Sequence, residues 1–170
     1  GKTFWISFRG DGPTVYGHLG MSGWIREVGV EGTRLHSHGE APLDDATGRP
    51  RFVKLLIRLR GQKAIAFTDP RRLGRIWLGE SPATDPRVNK LGPDALDALP
   101  ARRELLELFG RRHIPIKALL LDQSTLAGLG NWLVDEVLYQ AHIAPKRIAA
   151  SLDTSEVATL RRVILSVLRR

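Results

Sequence analysis

The spacing of the apolar residues changes once along this chain, and that change limits the possible folds more than any other feature. Before about Gly79 the apolar residues form short runs separated by turn residues, such as the cluster at residues 9–13. After about Pro93 they recur at helical spacing. Strands in series followed by helices in series predict an α+β fold, in which an antiparallel β-sandwich precedes an all-helical part.

The β part is predicted to contain six short strands and one long polar surface loop. Arg60, Gly61 and Gln62 are predicted to form the tip of a hairpin. The predicted strands are residues 3–8, 14–19, 21–27, 52–59, 63–68 and 75–78, and the loop is residues 33–51.

The helical part is predicted to contain four helices. Pro115 suits the first turn of a helix, because that position needs no backbone N–H donor. The predicted helices are residues 101–109, 115–121, 131–141 and 155–170, with one more helical turn at residues 94–98. We therefore predict a partial β-sandwich over residues 1–79, a linker rich in Pro, Gly and Ser over residues 80–100, and a helical domain over residues 101–170.

The connection between the second and third helices is unusual. It has about nine residues, whereas an ordinary helix-turn-helix connection has three or four, so two successive turns fit it better. It contains Gly128 and Gly130 and ends at Asn131. Asn131 could cap the third helix, or the free backbone N–H groups at this helix start could bind a phosphate, and the two interpretations are compatible.

Composition narrows the range of partners. The chain has 26 Lys and Arg residues against 18 Asp and Glu residues, a net charge of +8, which is typical of a protein that binds a polyanion and also of a merely soluble basic protein. Its lack of cysteine excludes disulfides and cysteine-bound zinc. His36 and His38 are a weak metal signal, so we expect no cofactor. No apolar run is long enough for a membrane span, and we expect an intracellular protein without membrane association.

Four segments, taken in order, resemble the formamidopyrimidine-DNA glycosylases and their endonuclease VIII relatives. The resemblance covers essentially the whole chain, and its last segment resembles that family's helix–two-turns–helix DNA-binding element. The segments are HLGMSG (residues 18–23), TDPRRLG (68–74), RRHIPIKALLLDQ (111–123) and LAGLGNWLVDEVLYQAHIAP (126–145).

The resemblance implies base excision repair of double-stranded DNA that carries an oxidised base or an abasic site. Members of the family flip out oxidised purines such as formamidopyrimidine and 8-oxoguanine. They then cut the glycosidic bond through a Schiff base and cleave the strand at the abasic site. No obligate protein partner is implied.

The sequence also departs from this family. The family's nucleophile is an N-terminal proline amine, with a neighbouring glutamate that transfers protons, whereas this chain begins GKTFW. The family's C-terminal zinc finger is missing as well. We therefore expect an interior segment of a glycosylase, inactive alone although its parent is an enzyme. A non-catalytic DNA-binding module on the same scaffold and an RNA- or ribosome-associated protein are the alternatives.

In the β part, the resemblance implies roles for five residues. Lys2 matches a lysine that contacts the phosphate near the lesion and assists elimination, and Met21 matches the side chain that fills the space left by the flipped base. Arg71 matches the residue that reads the orphaned base, and Arg72 matches one that holds phosphate. Leu73 stands where phenylalanine is common; it can still act as a wedge, but it forfeits aromatic stacking of about 1–3 kcal/mol per base.

In the helical part, the resemblance implies a set of phosphate contacts. Lys117 matches a lysine close to the phosphates of the damaged strand, and Arg112 lies beside it in sequence. Asn131 and the N–H of Gly130 match the family's phosphate clamp. From the residues alone, each cation could equally be a solvated surface residue, Met21 could be a core residue, and His18 is best interpreted as a structural histidine.

Overall fold

The computed structural model describes residues 3–30 and 44–169. The chain divides into two compact units, a β unit that ends at Pro82 and a helical unit that begins at Ala83. Strands precede helices throughout, so the predicted α+β class is confirmed.

The β unit consists of two three-stranded antiparallel sheets within the described residues. One has the order β1-β2-β6 and the other β3-β5-β4. The six predicted strands are all present, and each end lies within three residues of the prediction. Their bounds are β1 Thr3–Ile6, β2 Thr14–His18, β3 Trp24–Glu27, β4 Val53–Arg58, β5 Ala64–Thr68 and β6 Arg75–Gly79.

The prediction was wrong at the start of β3. We placed Met21 in that strand, but residues 19–23 form a turn, closed by a hydrogen bond from the Gly23 N–H to the Leu19 carbonyl (2.9 Å). A Cβ at Gly23 would lie 2.4 Å from that same carbonyl oxygen, so the turn requires glycine there. Met21 therefore belongs to a tight turn between two sheets.

Aromatic residues pack both within one sheet of the β unit and between its two sheets. Tyr16 is fully buried and stacks on Trp77, with ring centroids 5.4 Å apart. Phe4 of one sheet contacts Phe67 of the other, at a centroid distance of 6.4 Å. The stacking of Tyr16 on Trp77 joins neighbouring strands of one sheet, whereas the contact between Phe4 and Phe67 joins the two sheets as a sandwich.

Among its described residues, the helical unit contains four α-helices around one apolar core. Asp153 caps α4 through its carboxylate, which accepts hydrogen bonds from the N–H groups of Ser155 and Glu156. The apolar stripes predicted from the sequence face this core, including Leu119, Leu138 and Leu160. The helices are α1 Arg102–Gly110, α2 Ile116–Leu121, α3 Asn131–Ala141 and α4 Thr154–Leu168.

Residues 80–100, which we expected to link two domains, are partly hydrogen-bonded into the helical unit. The Gly92 N–H donates to the Gln123 carbonyl and the Ala95 N–H to the Ala127 carbonyl, both at 2.9 Å. The predicted helical turn is also present, because the Ala98 N–H donates to the Asp94 carbonyl. This stretch supports the loop between α2 and α3 from one side.

In the part of the chain that the structure describes, no helix combines the length and the apolar character that crossing a membrane demands.

Replacing buried Leu119 by alanine should lower the free energy of unfolding by about 2–5 kcal/mol, because it leaves a cavity in the core of the helical unit. Urea unfolding followed by circular dichroism measures this change. Leu96→Ala is the matched control, since Leu96 is 43% exposed in the same unit and should lose much less. Equal losses in the two variants would contradict this description of the core.

Candidate nucleic-acid interface

Two loops of the β unit lie side by side, and we call them the loop pair. Residues 19–23 lead from β2 to β3, and residues 69–74 lead from β5 to β6, so both loops cross from one sheet to the other. His18 pairs with Arg75, and Trp24 pairs with Thr68. The strand pairing therefore brings both crossings to the same end of the sandwich.

The Asp69 carboxylate joins the two loops. It is only 1% exposed, and its two oxygens accept hydrogen bonds from the Ser22 hydroxyl and from the Gly74 N–H, each at 2.6 Å. Burial acts to raise the pKa of Asp69, but these bonds and those from the Arg71 and Leu73 N–H groups outweigh it and lower the pKa. The group stays ionised and fixes one loop against the other.

Gly20 allows the loops to approach closely. A Cβ there would lie 2.7 Å from the Leu73 carbonyl carbon and 2.9 Å from the Gly74 nitrogen, and its φ of +61° is one that other residues rarely adopt. The Gly20 N–H donates to Nδ1 of His18 at 3.1 Å. This bond supports the structural interpretation of His18.

The loop pair presents two apolar and two cationic side chains to solvent. Met21 is 73% exposed and Leu73 is 49% exposed, so the interpretation of Met21 as a core residue is wrong. Arg71 and Arg72 are exposed on the same turn as Leu73, and Arg72 has a φ of +58°. Apolar wedges beside cations are suited to a duplex from which one base has been removed.

In the helical unit, the loop between α2 and α3 is held by its own side chains. The Gln123 amide nitrogen donates to the carbonyls of Leu121 (3.1 Å) and Leu129 (2.8 Å), and its oxygen accepts from the Gly128 N–H (3.0 Å). Gly128 has a φ of +99°, a conformation that favours glycine. Gln123 thereby spans both turns of the loop.

The Asp122 carboxylate holds the first of these turns. It accepts hydrogen bonds from the Ser124 hydroxyl (2.7 Å), the Ser124 N–H (3.0 Å) and the Thr125 hydroxyl (3.0 Å). The bonds from Ser124 lower the pKa of Asp122, and the positive charge of Arg112 adds to them in spite of some burial. The structure therefore places Arg112 near the start of this loop.

The start of α3 contradicts the interpretation of Asn131 as the helix cap. Gly130 is the capping residue, with extended backbone (φ −97°, ψ 171°), and no side chain among the described residues caps this helix. Asn131 is the first helical residue and is exposed. The interpretation of Asn131 as the cap is therefore wrong. The N–H groups of the first turn precede the first helical bond, from the Val134 N–H to the Gly130 carbonyl, and are not satisfied within the helix.

Lys117 lies on α2 and is partly exposed, with its ammonium group 2.6 Å from the carboxylate of Asp135 on α3. Arg112 is exposed just before α2, and its carbonyl accepts from the Ala150 N–H. The stretch from Arg112 to Lys117 is thus paired with residues 145–150. Lys117 on α2 therefore lies next to α3, whose start contains the predicted phosphate clamp.

Some sequence predictions cannot be placed on this structure. Lys2, His36, His38 and residues 33–43 of the predicted surface loop lie outside the described residues. Among the residues that are described, no group of three or more metal-binding side chains occurs.

The structure also gives roles in the site to residues for which sequence reasoning gave none, among them Ser22, Asp69, Gln123 and Asp135. The dipeptides Asp69-Pro70 and Asp122-Gln123 indicate local turns. The partners of Asp69 and Asp135, however, lie far away in sequence. No local sequence pattern could have predicted these two contacts.

Two family models match the chain. The model of the formamidopyrimidine-DNA glycosylase N-terminal domain matches residues 1–76, and that of the formamidopyrimidine-DNA glycosylase H2TH domain matches residues 91–170. The chain belongs to the formamidopyrimidine-DNA glycosylase family. The expected resemblance is thereby confirmed in both units.

Curated relatives agree with this membership. The chain is 34% identical to the formamidopyrimidine-DNA glycosylase of Arabidopsis thaliana over 171 residues, which cover 100% of this chain and 43% of that protein. It is 40% identical to that of Pelotomaculum thermopropionicum over 161 residues, covering 94% of this chain and 53% of that protein. The chain thus spans about half the length of these relatives.

Solved structures of the family superimpose on the chain. The Lactococcus lactis formamidopyrimidine-DNA glycosylase, bound to DNA that contains an AP site, has a TM-score of 0.79 at 25% identity, covering 99% of this chain and 59% of that one. The enzyme from Thermus thermophilus has a TM-score of 0.77 at 30% identity, covering 99% and 56%.

We expect the stability of the β unit to fall when the pH drops below about 4, in part because of Asp69. Its pKa is lowered by folding, so its contribution is complete above the unfolded value and is lost as the pH falls through the folded value. Asp69→Asn should cost about 1–3 kcal/mol at neutral pH and should flatten this acid loss. Urea unfolding at a series of pH values, followed by tryptophan fluorescence, measures both effects. Asp11→Asn, at an exposed loop carboxylate, is the control and should change neither.

Gln123→Ala should remove three hydrogen bonds from the two-turn loop and lower the free energy of unfolding by about 1–3 kcal/mol. Gln123→Glu keeps an acceptor for the Gly128 N–H, but it places a carboxylate oxygen against the carbonyls of Leu121 and Leu129, so its loss should be at least as large. Thermal and urea unfolding measure these changes. A Gln123→Ala variant as stable as the unmodified chain would exclude a bracing role.

Proposed function

We propose that these 170 residues are the damage-recognition portion of a bifunctional DNA glycosylase and abasic-site lyase that removes oxidised purines from double-stranded DNA. Family membership supports the reaction class. The observation that carries the proposal is the exposure of Met21, 73% on a turn held rigid by Asp69 and Gly20. A large apolar side chain held out in water adds nothing to folding, and it is suited to filling the gap that a flipped base leaves.

The cations of the loop pair complete this half of the proposal. Arg71 carries donors that can read the orphaned base, and Arg72 carries donors that can hold a phosphate. Leu73 serves as a second wedge, without the aromatic stacking that phenylalanine supplies.

The helical unit supplies the grip on the backbone in this proposal. The unsatisfied N–H groups at the start of α3 favour an anion, and the exposed Asn131 amide adds a donor beside them. Lys117 on α2 and Arg112, which precedes that helix, contribute positive charge. These contacts are independent of base sequence, so they should affect damaged and undamaged DNA alike.

For Lys2 we propose the role that the resemblance implies, a cation that supports elimination at the abasic site. The family's proline nucleophile matches no position among these 170 residues, and we propose that by themselves they bind but do not cleave. Their binding requires no metal or cofactor. The substrate implies an intracellular protein that works on DNA. A non-catalytic module is less favoured, because the relatives at 34% and 40% identity are glycosylases.

The decisive experiment is the binding of this chain to a short duplex with a stable tetrahydrofuran abasic analogue and to the same duplex undamaged. We expect tighter binding to the damaged duplex. Met21→Ala and Arg71→Ala should each reduce that preference, because they remove the wedge and the contact to the orphaned base. Lys117→Ala and Arg112→Ala should weaken both complexes equally, and each should reduce the salt slope of log K by about one unit.

Leu78→Ala is the matched control for Met21→Ala. Leu78 is 64% exposed in the same unit but lies on β6, outside the loop pair, so its loss should leave the preference unchanged. Fluorescence anisotropy over a series of salt concentrations measures all of these effects. Equal affinity for damaged and undamaged duplex in the unmodified chain would contradict damage recognition and leave only a general affinity for DNA.

A further inference from the structure

One of the cations proposed to bind phosphate already has an anionic partner. Nζ of Lys117 lies 2.6 Å from Oδ1 of Asp135, a contact that joins α2 to α3. Both side chains are partly exposed, Lys117 at 31% and Asp135 at 48%. The pair is therefore well formed yet open to solvent and to an incoming ligand.

The position of Asp135 places it against the proposed phosphate contacts of the helical unit. Asp135 follows Asn131 by about one helical turn on α3, and α3 begins with the proposed phosphate clamp. A carboxylate there repels a phosphate that approaches the clamp. It also engages one of the three N–H donors of Lys117 in a 2.6 Å contact and offsets the positive charge that would attract a phosphate oxygen.

We propose that Asp135 is an affinity-lowering residue, which holds Lys117 in the free protein and releases it to a DNA phosphate on binding. This inference rests on the proposed function, since it assumes that Lys117 contacts DNA. The exchange replaces a carboxylate with a phosphate on the same ammonium group. Asp135 thereby lowers the affinity for every duplex, damaged or not, and favours release of undamaged DNA during a search.

The same contact permits the opposite role, in which Asp135 orients Lys117 towards the DNA. The two roles predict opposite signs. If Asp135 competes with phosphate, Asp135→Asn tightens binding, and Lys117→Ala costs less affinity in the unmodified chain than in the Asp135→Asn background. If Asp135 orients Lys117, Asp135→Asn weakens binding and Lys117→Ala costs more in the unmodified chain.

The test is a double-mutant cycle with Asp135→Asn, Lys117→Ala and the double variant, measured on undamaged and abasic-analogue duplexes by fluorescence anisotropy. Asparagine matches aspartate in size at a partly exposed position, and a thermal transition for each variant checks that it folds. We expect Asp135→Asn to bind both duplexes about two- to fivefold more tightly at low salt, as expected for loss of an exposed ion pair. The gain should shrink as salt rises, because salt screens the repulsion.

Glu107→Gln is the matched control. It removes one negative charge and breaks an exposed ion pair, that of Arg103 and Glu107 on α1, but it touches none of the proposed DNA contacts. Its gain in affinity should be smaller than that of Asp135→Asn. Equal gains would overturn the inference, because they would reduce it to a general effect of net charge.

The remaining outcomes separate the inference from the function on which it rests. If the unmodified chain binds DNA and Asp135→Asn binds equally or less tightly, the inference is overturned while the proposed function stands. If neither protein binds either duplex, the proposed function fails and the inference fails with it.

Discussion

The buried carboxylate of Asp69 is the interaction on which the proposed recognition surface of the β unit depends. A charge that is only 1% exposed would be costly without partners, yet Asp69 accepts hydrogen bonds from a hydroxyl and from backbone N–H groups of the turn that follows it. Its oxygens bond to different loops, through Ser22 and through Gly74. Since those loops cross between the two sheets at the same end, one side chain fixes the geometry of Met21 and of the arginine turn together.

The helical unit reaches a comparable rigidity by different means. Its two-turn loop is held by a neutral side chain instead of a buried carboxylate. The amide of Gln123 forms hydrogen bonds to three backbone groups of the loop. Asp122 and Ser124 complete the first turn. The polar groups of the loop are thus largely satisfied internally, whereas the first N–H groups of α3 have no side-chain cap among the described residues. That contrast is what makes this helix start suitable for an anion.

Charge is arranged unevenly among the residues proposed to contact DNA. Arg71 and Arg72 are exposed on a fixed turn, whereas Lys117 is held by Asp135. A net charge of +8 draws the chain towards any polyanion, so discrimination must come from geometry and from local acids that temper the attraction. Membership of the formamidopyrimidine-DNA glycosylase family is consistent with this interpretation of the exposed cations as DNA contacts.

The sequence by itself determined the class of fold and the elements, because strands and helices follow from the local spacing of apolar residues. The bounds of α3 matched the prediction completely, and every strand was located, since both depend on neighbours within a few residues. Its motifs also determined which family the chain resembles. The prediction failed at Met21, where a glycine-containing turn replaces the start of the predicted strand. It also failed at Asn131, because Gly130 and not the Asn131 side chain occupies the capping position of α3.

Tertiary structure alone decided which residues hold the candidate site together. Ser22 and Asp69 meet across 47 positions of sequence, and Lys117 meets Asp135 from a different helix. Whether a carboxylate is buried, paired or free depends on strand order and helix packing, which place residues that are distant in sequence within hydrogen-bonding distance. The sequence names the side chains that could touch DNA, and the packing of each unit decides which of them are rigid, which are exposed and which already have a partner.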